Sequence, residues 1–206
     1  MSIADSTKSR TKKVNPRVAK AVGISKAKAV APDLSVRIGS TPQTRFRGDP
    51  NIFGRLVEDH DRHRALLAMI QETHGDSAVR KALFLELTKE VKAHAAAEEQ
   101  ALWSSVLREP KTTEDARHAV AEHKQIDDLL ADLAARDMAS PGWLRRFEKL
   151  KEKYLHHIRE EEQELFEAVS KHLDKADRDH MEGVFSRRKP LEKDKAEITP
   201  KLHAAH

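Results

Sequence analysis

The stretch His157-Ile158-Arg159-Glu160-Glu161, inside the run from Tyr154 to Leu165, decides how this chain is read. A histidine and a glutamate four residues apart project from one face of a helix. The same arrangement stands earlier as His94-Ala95-Ala96-Ala97-Glu98. Both copies fall on apolar stripes. One is Leu83, Leu87, Val91, His94, Glu98 and Leu102, and the other is Phe147, Leu150, Tyr154, His157, Glu161 and Leu165. An ionisable side chain on a buried face is costly unless something inside pairs with it. A pair of metal ions would do so.

Two more helices read outward from these. Asp49-Pro50 supplies a cap and a proline for the first helical position, and Phe53, Leu56, His60, His63, Leu67 and Ile70 follow at steps of three and four, with Gly75 as the stop. Asp76 or Ser77 opens the second helix and Pro110 closes it. Thr112 or Thr113, with Asp115 soon after, opens the third, whose stripe is Ala116, Val120, His123, Leu130 and Leu133. Ser140-Pro141 repeats the cap-and-proline signal for the fourth. Asp174 caps a short fifth helix expected to reach about Phe185, with a charged tail after Lys189-Pro190. Long amphipathic helices with short connections predict an all-α fold, an antiparallel up-down-up-down four-helix bundle over residues 49–175. Residues 1–48 read as a disordered basic tail, and residues 176–206 as the short helix and charged tail.

The helices come as two pairs. A shift of 63 residues carries His60 onto His123, His94 onto His157 and Glu98 onto Glu161. It also carries Phe84 onto Phe147, Leu87 onto Leu150, Leu66-Leu67 onto Leu129-Leu130, Leu102 onto Leu165 and Trp103 onto Phe166. Acidic residues precede both leading histidines, as Asp59 and Glu122. Similarity at a fixed period marks duplicated structure. Antiparallel neighbours of equal rise return to the same depth, so one His from each odd helix meets one His and one Glu from each even helix. Four imidazoles and two carboxylates form an N/O set suited to iron or manganese. A lone histidine on an apolar stripe is ordinarily a hydrogen-bonded core residue, but six repeat-related ionisable residues favour a metal site. Two further side chains share these stripes. Tyr154 is either a core tyrosine with a satisfied hydroxyl or a group that ligates a metal or bonds its ligand; His63 reads as a packing or rim residue. His172, His180, His203 and His206 lack paired spacing and read as surface residues.

Composition narrows the alternatives. The 206 residues are 38% hydrophobic and 35% charged, with seven Gly and one Tyr, which suits solvated amphipathic helices. There is no cysteine, which excludes disulfides, thiolate metal sites and a cysteine nucleophile. No apolar run is long enough to span a bilayer. Residues 1–48 hold 11 Lys/Arg against Asp5 and Asp33, a charge of +9 against +4 for the whole chain, so the remainder carries −5. That tail reads as a solvated extension, as a contact for nucleic acid or another anionic surface, or as an organellar transit peptide. A cytoplasmic location is otherwise expected.

Taken together, Glu58-Asp59-His60, His94 to Glu98 with Glu99 and Leu102, Glu122-His123 with Ile126, and His157 to Glu161 with Leu165-Phe166 make this chain resemble the hemerythrin-like, or HHE cation-binding, family. The resemblance covers about residues 49–175. It implies a non-haem di-iron centre with an oxo or hydroxo bridge. Glu98 and Glu161 would bridge the two irons, with His60 and His94 on one and His123 and His157 on the other. Two departures from the oxygen carriers stand out. The carriers have a fifth histidine where this chain has Ala119, and their last carboxylate is an aspartate five residues after its histidine rather than four. Lacking the fifth histidine, both irons would have room for an outside ligand, which favours redox chemistry over reversible carriage.

The expected function is therefore a di-iron protein that binds O2, hydrogen peroxide or nitric oxide, with catalase-like peroxide turnover in oxidative stress defence. The alternative is a non-catalytic iron or oxygen sensor that signals through its tails. A metal-free helical interaction protein is the third possibility.

Overall fold

The computed structural model describes residues 44–75 and 78–202. Among the described residues there is no strand, and every regular element is a helix. Helix α1 is Ile52–Gln71. Helix α2 is Ala78–Glu98, continued by a π-helical turn, Glu99–Trp103, and by Ser104–Val106. Helix α3 is Thr113–Ala134. Helix α4 is Trp143–Glu160, continued by a second π-helical turn, Glu161–Leu165, and by Phe166–Ser170. Helix α5 is Lys175–Lys195.

Contacts between side chains fix the relative directions. His60 meets His94 while Arg62, further along α1, meets Glu90, so α1 and α2 run in opposite senses. Glu99 pairs with His123 and Lys92 with Asp127, which does the same for α2 and α3. The Glu122–His157 pair and the bond from Trp143 Nε1 to the Leu133 carbonyl oppose α3 and α4. The His60–Glu161 and His63–Tyr154 pairs oppose α4 and α1, which closes the circuit.

Two apolar clusters plug this arrangement at opposite ends. One gathers Leu67, Leu83, Phe84, Leu130, Trp143 and Phe147. The other gathers Phe46, Phe53, Leu102, Trp103, Phe166 and Phe185. The ionisable residues of the repeat lie between them. At roughly 1.5–3 kcal/mol for each large apolar side chain removed from water, these clusters supply the main driving force. They also close the two ends of the space between them.

Several local expectations are corrected. Helix α1 begins at Ile52 rather than Pro50, because the Asn51 side chain, not that of Asp49, accepts the Phe53 N–H. Asp49 instead belongs to a turn that packs on α1 so closely that a Cβ at Gly54 would lie 2.0 Å from the Asp49 carbonyl oxygen. Helix α4 begins at Trp143 after Gly142, beyond the Ser140-Pro141 signal. Helix α2 stops at Val106, short of Pro110. Thr112 precedes α3, but its hydroxyl donates back to Val106 and Glu109 instead of capping. Val120 is 40% exposed, so it is not part of the α3 core stripe. The cap expected at Asp76 or Ser77 lies outside the described residues.

The chain ends depart further. Residues 44–48 fall within the tail expected to be disordered, yet Phe46 is buried against Phe53 and Phe166 and Arg47 pairs with Asp61. The tail expectation for residues 1–43 lies outside the described residues. Asp174 does cap α5, through a reciprocal box with Asp177. The helix then runs through Pro190 to Lys195, well past Phe185. Proline removes one helical hydrogen bond. Here Lys193 compensates by pairing with Glu86 at 2.8 Å and Glu90 at 2.5 Å on α2. Helix α5 lies across α1 and α2.

Candidate metal centre

All six repeat-related residues are buried and face one another. His60 Nε2 and His94 Nε2 are 3.2 Å apart, and His60 Nε2 lies 3.3 Å from Glu161 Oε2. His94 Nε2 lies 3.5 Å, and His123 Nε2 3.4 Å, from Glu98 Oε2. Glu161 Oε1 lies 3.5 Å from His157 Nε2 and 3.9 Å from His123 Nε2. Two overlapping groups of possible ligand atoms result: His60, His94 and Glu161, and His123, His157 and Glu161. Glu161 stands in both, and Glu98 spans His94 and His123.

The other nitrogen of each ring is held by a carboxylate. His60 Nδ1 is 2.9 Å from Glu162 and His94 Nδ1 is 3.4 Å from Asp59. His123 Nδ1 is 2.9 Å from Glu99, and His157 Nδ1 is 2.9 Å from Glu122. A carboxylate accepting the Nδ1 proton leaves the Nε2 lone pair free to point at a cation, which is how histidine ligands are ordinarily oriented. These four carboxylates also obey the repeat, since 63 residues separate Asp59 from Glu122 and Glu99 from Glu162. The π-helical turns explain how consecutive acids both serve. One turn starts just after the inward Glu98 and the other at the inward Glu161, and the wider turn brings both Glu98 and Glu99, and both Glu161 and Glu162, to the histidines. Such bulges recur at functional sites.

One arm of the support differs between halves. In the second half Lys153 on α4 neutralises Glu122. The corresponding position on α2 is Glu90, and Lys189 from α5 enters instead, 2.6 Å from both Asp59 and Glu90. Burial works against charge on Asp59, but Lys189, His94 and Arg55 outweigh it and hold the carboxyl well below its usual range.

The electrostatics show what the inward set lacks. Burial opposes charge on Glu98, but His123 and His94 hold it ionised, at about 2. Burial and the Glu98 charge push Glu161 well above the usual carboxylate range. Burial lowers His157 to about 4, and burial with His94 beside it holds His60 well below the usual imidazole range. His123 goes the other way: burial pulls it down, yet Glu98 and Glu99 raise it to about 9. Two carboxylates at close quarters cannot both stay charged without a cation. Both oxygens of Glu98, both of Glu161 and His123 Nε2 are buried without a hydrogen-bond partner. Buried polar atoms are rarely left so. Their donor set, N and O at one point, fits divalent metal.

The remaining sequence candidates settle around this centre. Tyr154 is buried, and its hydroxyl lies 2.5 Å from His63 Nδ1. Burial, with Glu161 and Glu98 nearby, pushes the phenol well above its usual range, so it stays neutral while paired with His63. Burial and the His94 charge lower His63. His63 is fully buried rather than at a rim, and its ring lies edge-on to His94, with centroids 5.2 Å apart. Ala119 is buried in the apolar cluster with Phe166. A cavity of about 310 Å³ opens between α2 and α3, lined by Val91, Ala96, Val120, Tyr154 and three of the histidines, His94, His123 and His157. His172 and His180 are exposed, while His203 and His206 lie outside the described residues.

Fold and site together define a helical protein built around a buried histidine–carboxylate cluster. Residues 51–169 match the hemerythrin family, described as the Hemerythrin HHE cation binding domain, and the chain belongs to that family. Its structure is similar to that of a Hemerythrin HHE cation binding domain-containing protein from Mycobacterium kansasii. The TM-score is 0.63 and the identity 25%, covering 70% of this chain and 88% of the other. Over 141 residues, 68% of this chain, it is 27% identical to a DNA nickase of Nostoc sp.. That match spans 40% of the relative, so this chain covers less than half its length. No helix among the described residues is long and apolar enough to cross a membrane.

Proposed function

We propose that His60, His94, Glu98, His123, His157 and Glu161 hold two iron ions inside an antiparallel four-helix bundle formed by α1 to α4. The observation that carries this is the set of partnerless carboxylate oxygens facing four Nε2 atoms, each ring held from behind by its own acid. Iron rather than manganese follows from the family likeness, since the donor set accepts either. Such a pair of irons supplies redox chemistry toward O2, hydrogen peroxide or nitric oxide. The chain's own residues set the terms. Asp59, Glu99, Glu122 and Glu162 fix the imidazole tautomers, and uptake of metal displaces the protons held on His123 and Glu161. The cavity between α2 and α3 gives a small ligand its route in, and Tyr154 with His63 keeps a neutral proton-bearing pair at its inner wall.

Turnover of peroxide, in which one molecule is oxidised to O2 and another reduced to water, is the activity this reading favours. Iron-loaded full-length protein should consume hydrogen peroxide, and the H123A/E161A double variant should fall to the rate of buffer with free iron. Equal rates in the two proteins would refute turnover, while two irons per chain in the wild type would still support the centre.

A second reading assigns the basic residues 1–48 to a nucleic-acid contact, as the output of an iron or oxygen sensor. Their charge of +9 and the likeness to a DNA nickase favour it. Full-length protein should then bind duplex DNA with an affinity that falls steeply between 50 and 200 mM salt, as counterion release requires. Unchanged DNA binding after removal of residues 1–43 would sink this reading.

A further inference from the structure

The two inward His-x-x-x-Glu pairs have two outward counterparts. His118 and Glu122 stand four apart on α3, and His156 and Glu160 stand four apart on α4. His118 Nε2 lies 3.0 Å from Glu160 Oε1, across the boundary between the helices. Glu122 Oε2 lies 3.8 Å from His118 Nε2, and His156 Nδ1 lies 3.8 Å from Glu160 Oε2. One ligand atom from each of His118, Glu122 and Glu160 falls within 4.8 Å of the other two. Donors bound at about 2.0–2.1 Å to a tetrahedral cation sit about 3.3 Å from one another. The observed spacings bracket that value. His118 and His156, 50% and 58% exposed, are free to make the small adjustment needed.

The duplicated half shows that the fold does not require His118, His156 or Glu160. The positions 63 residues earlier are Arg55, Asp59, Ala93 and Ala97. There both alanines are fully buried and Arg55 lies under the Phe185 ring of α5. Helix α5 seals that face, whereas the equivalent face of α3 and α4 is open and brings His118, Glu122 and Glu160 within reach of one another, with His156 beside Glu160. Solvent exposure alone calls for polar side chains; it does not call for chelating ones. Lys153 occupies Glu122 Oε1, so a cation would meet Oε2, the oxygen that also accepts from His157 Nδ1.

We propose that His118, His156 and Glu160, with Glu122 beneath them, form a separate surface site for a first-row divalent cation such as zinc. The site does not depend on which metal fills the buried centre. It is joined to that centre through Glu122, which serves His157 on one side and the surface cation on the other.

Zinc binding to full-length protein tests this, by equilibrium dialysis followed by metal analysis. Wild-type protein should bind one zinc ion per chain more than the H118A/H156A variant, with the buried content equal in both. Thermal unfolding of the metal-free forms should coincide, because both side chains are solvated. The H156A variant, whose lost imidazole lies against Glu160, should by itself weaken the additional site without changing the other equivalents. Identical zinc stoichiometry and affinity in wild type and double variant would overturn the proposal. So would a loss confined to the buried equivalents.

Discussion

Replacing Glu161 with alanine is expected to abolish both of the proposed metal sites, whereas replacing His60 with alanine is expected to weaken only one. The difference follows from geometry. Glu161 is the one residue common to both groups of ligand atoms, with Oε2 toward His60 and Oε1 toward His157 and His123. His60 belongs to a single group. Metal analysis of purified protein should therefore give near zero per chain for E161A and about one for H60A, against about two for wild type. The metal-free proteins should behave in the opposite order. Glu161 without a cation is a buried, partnerless carboxyl whose protonation is forced by burial and by Glu98. Removing it relieves an unfavourable desolvation, so metal-free E161A should melt no lower than metal-free wild type. Two metals retained by E161A would exclude Glu161 as the shared ligand.

The second large effect is expected from Lys189. Substitution by alanine leaves Asp59 and Glu90 facing each other inside the protein without their common cation. Breaking a buried ion pair from one side costs roughly 3–5 kcal/mol, and Lys189 is 5% exposed, so solvent screening does not reduce this. The sign of the pH dependence can be worked out from Glu90. Burial raises its pKa, but Lys189 and the neighbouring His63 and Lys193 outweigh that and hold it at about 2, against an ordinary 4.5. A carboxyl held down in the folded state contributes stability above its unfolded value, and that contribution is lost as pH falls through the folded one. The gap in unfolding free energy between wild type and K189A should thus be full above pH 4.5 and close as pH falls toward about 2. A gap independent of pH would show that packing, not charge, is what Lys189 supplies. Because Asp59 also holds His94 Nδ1, K189A should lower metal affinity as well, by about 10–100-fold.

How much of this was legible in the sequence differs from residue to residue. The helices announced themselves through period, and the six inward residues through a repeat that preserved both identity and spacing. Asp59 and Glu122 were visible as acids beside the leading histidines, but their targets, His94 and His157, sit on the next helix, where no local period points. The π-helical turns left no periodic trace at all. They were foreshadowed only by paired acids at Glu98-Glu99 and Glu161-Glu162. Pro190 misled because a local rule, that proline ends helices, was overridden by the tertiary pairs of Lys189 and Lys193. Asp49 and Ser140 misled for a related reason: both are good caps in turns, and neighbouring residues took the role. His118 and His156 carry no signal in the sequence, because their spacing resembles ordinary surface pairs until the two helices are placed side by side.

The crossing of the four Nδ1 carboxylates has a consequence for assembly. Asp59 and Glu122 support a histidine within their own helical hairpin, but Glu162 reaches back to His60 and Glu99 reaches forward to His123. Neither hairpin alone carries a complete support for its own two rings. A single hairpin excised from the chain would need a second copy, turned about a twofold axis, to regain what it lost. The present protein is in that sense a dimer written into one polypeptide, and loosening either hairpin unseats histidines in both.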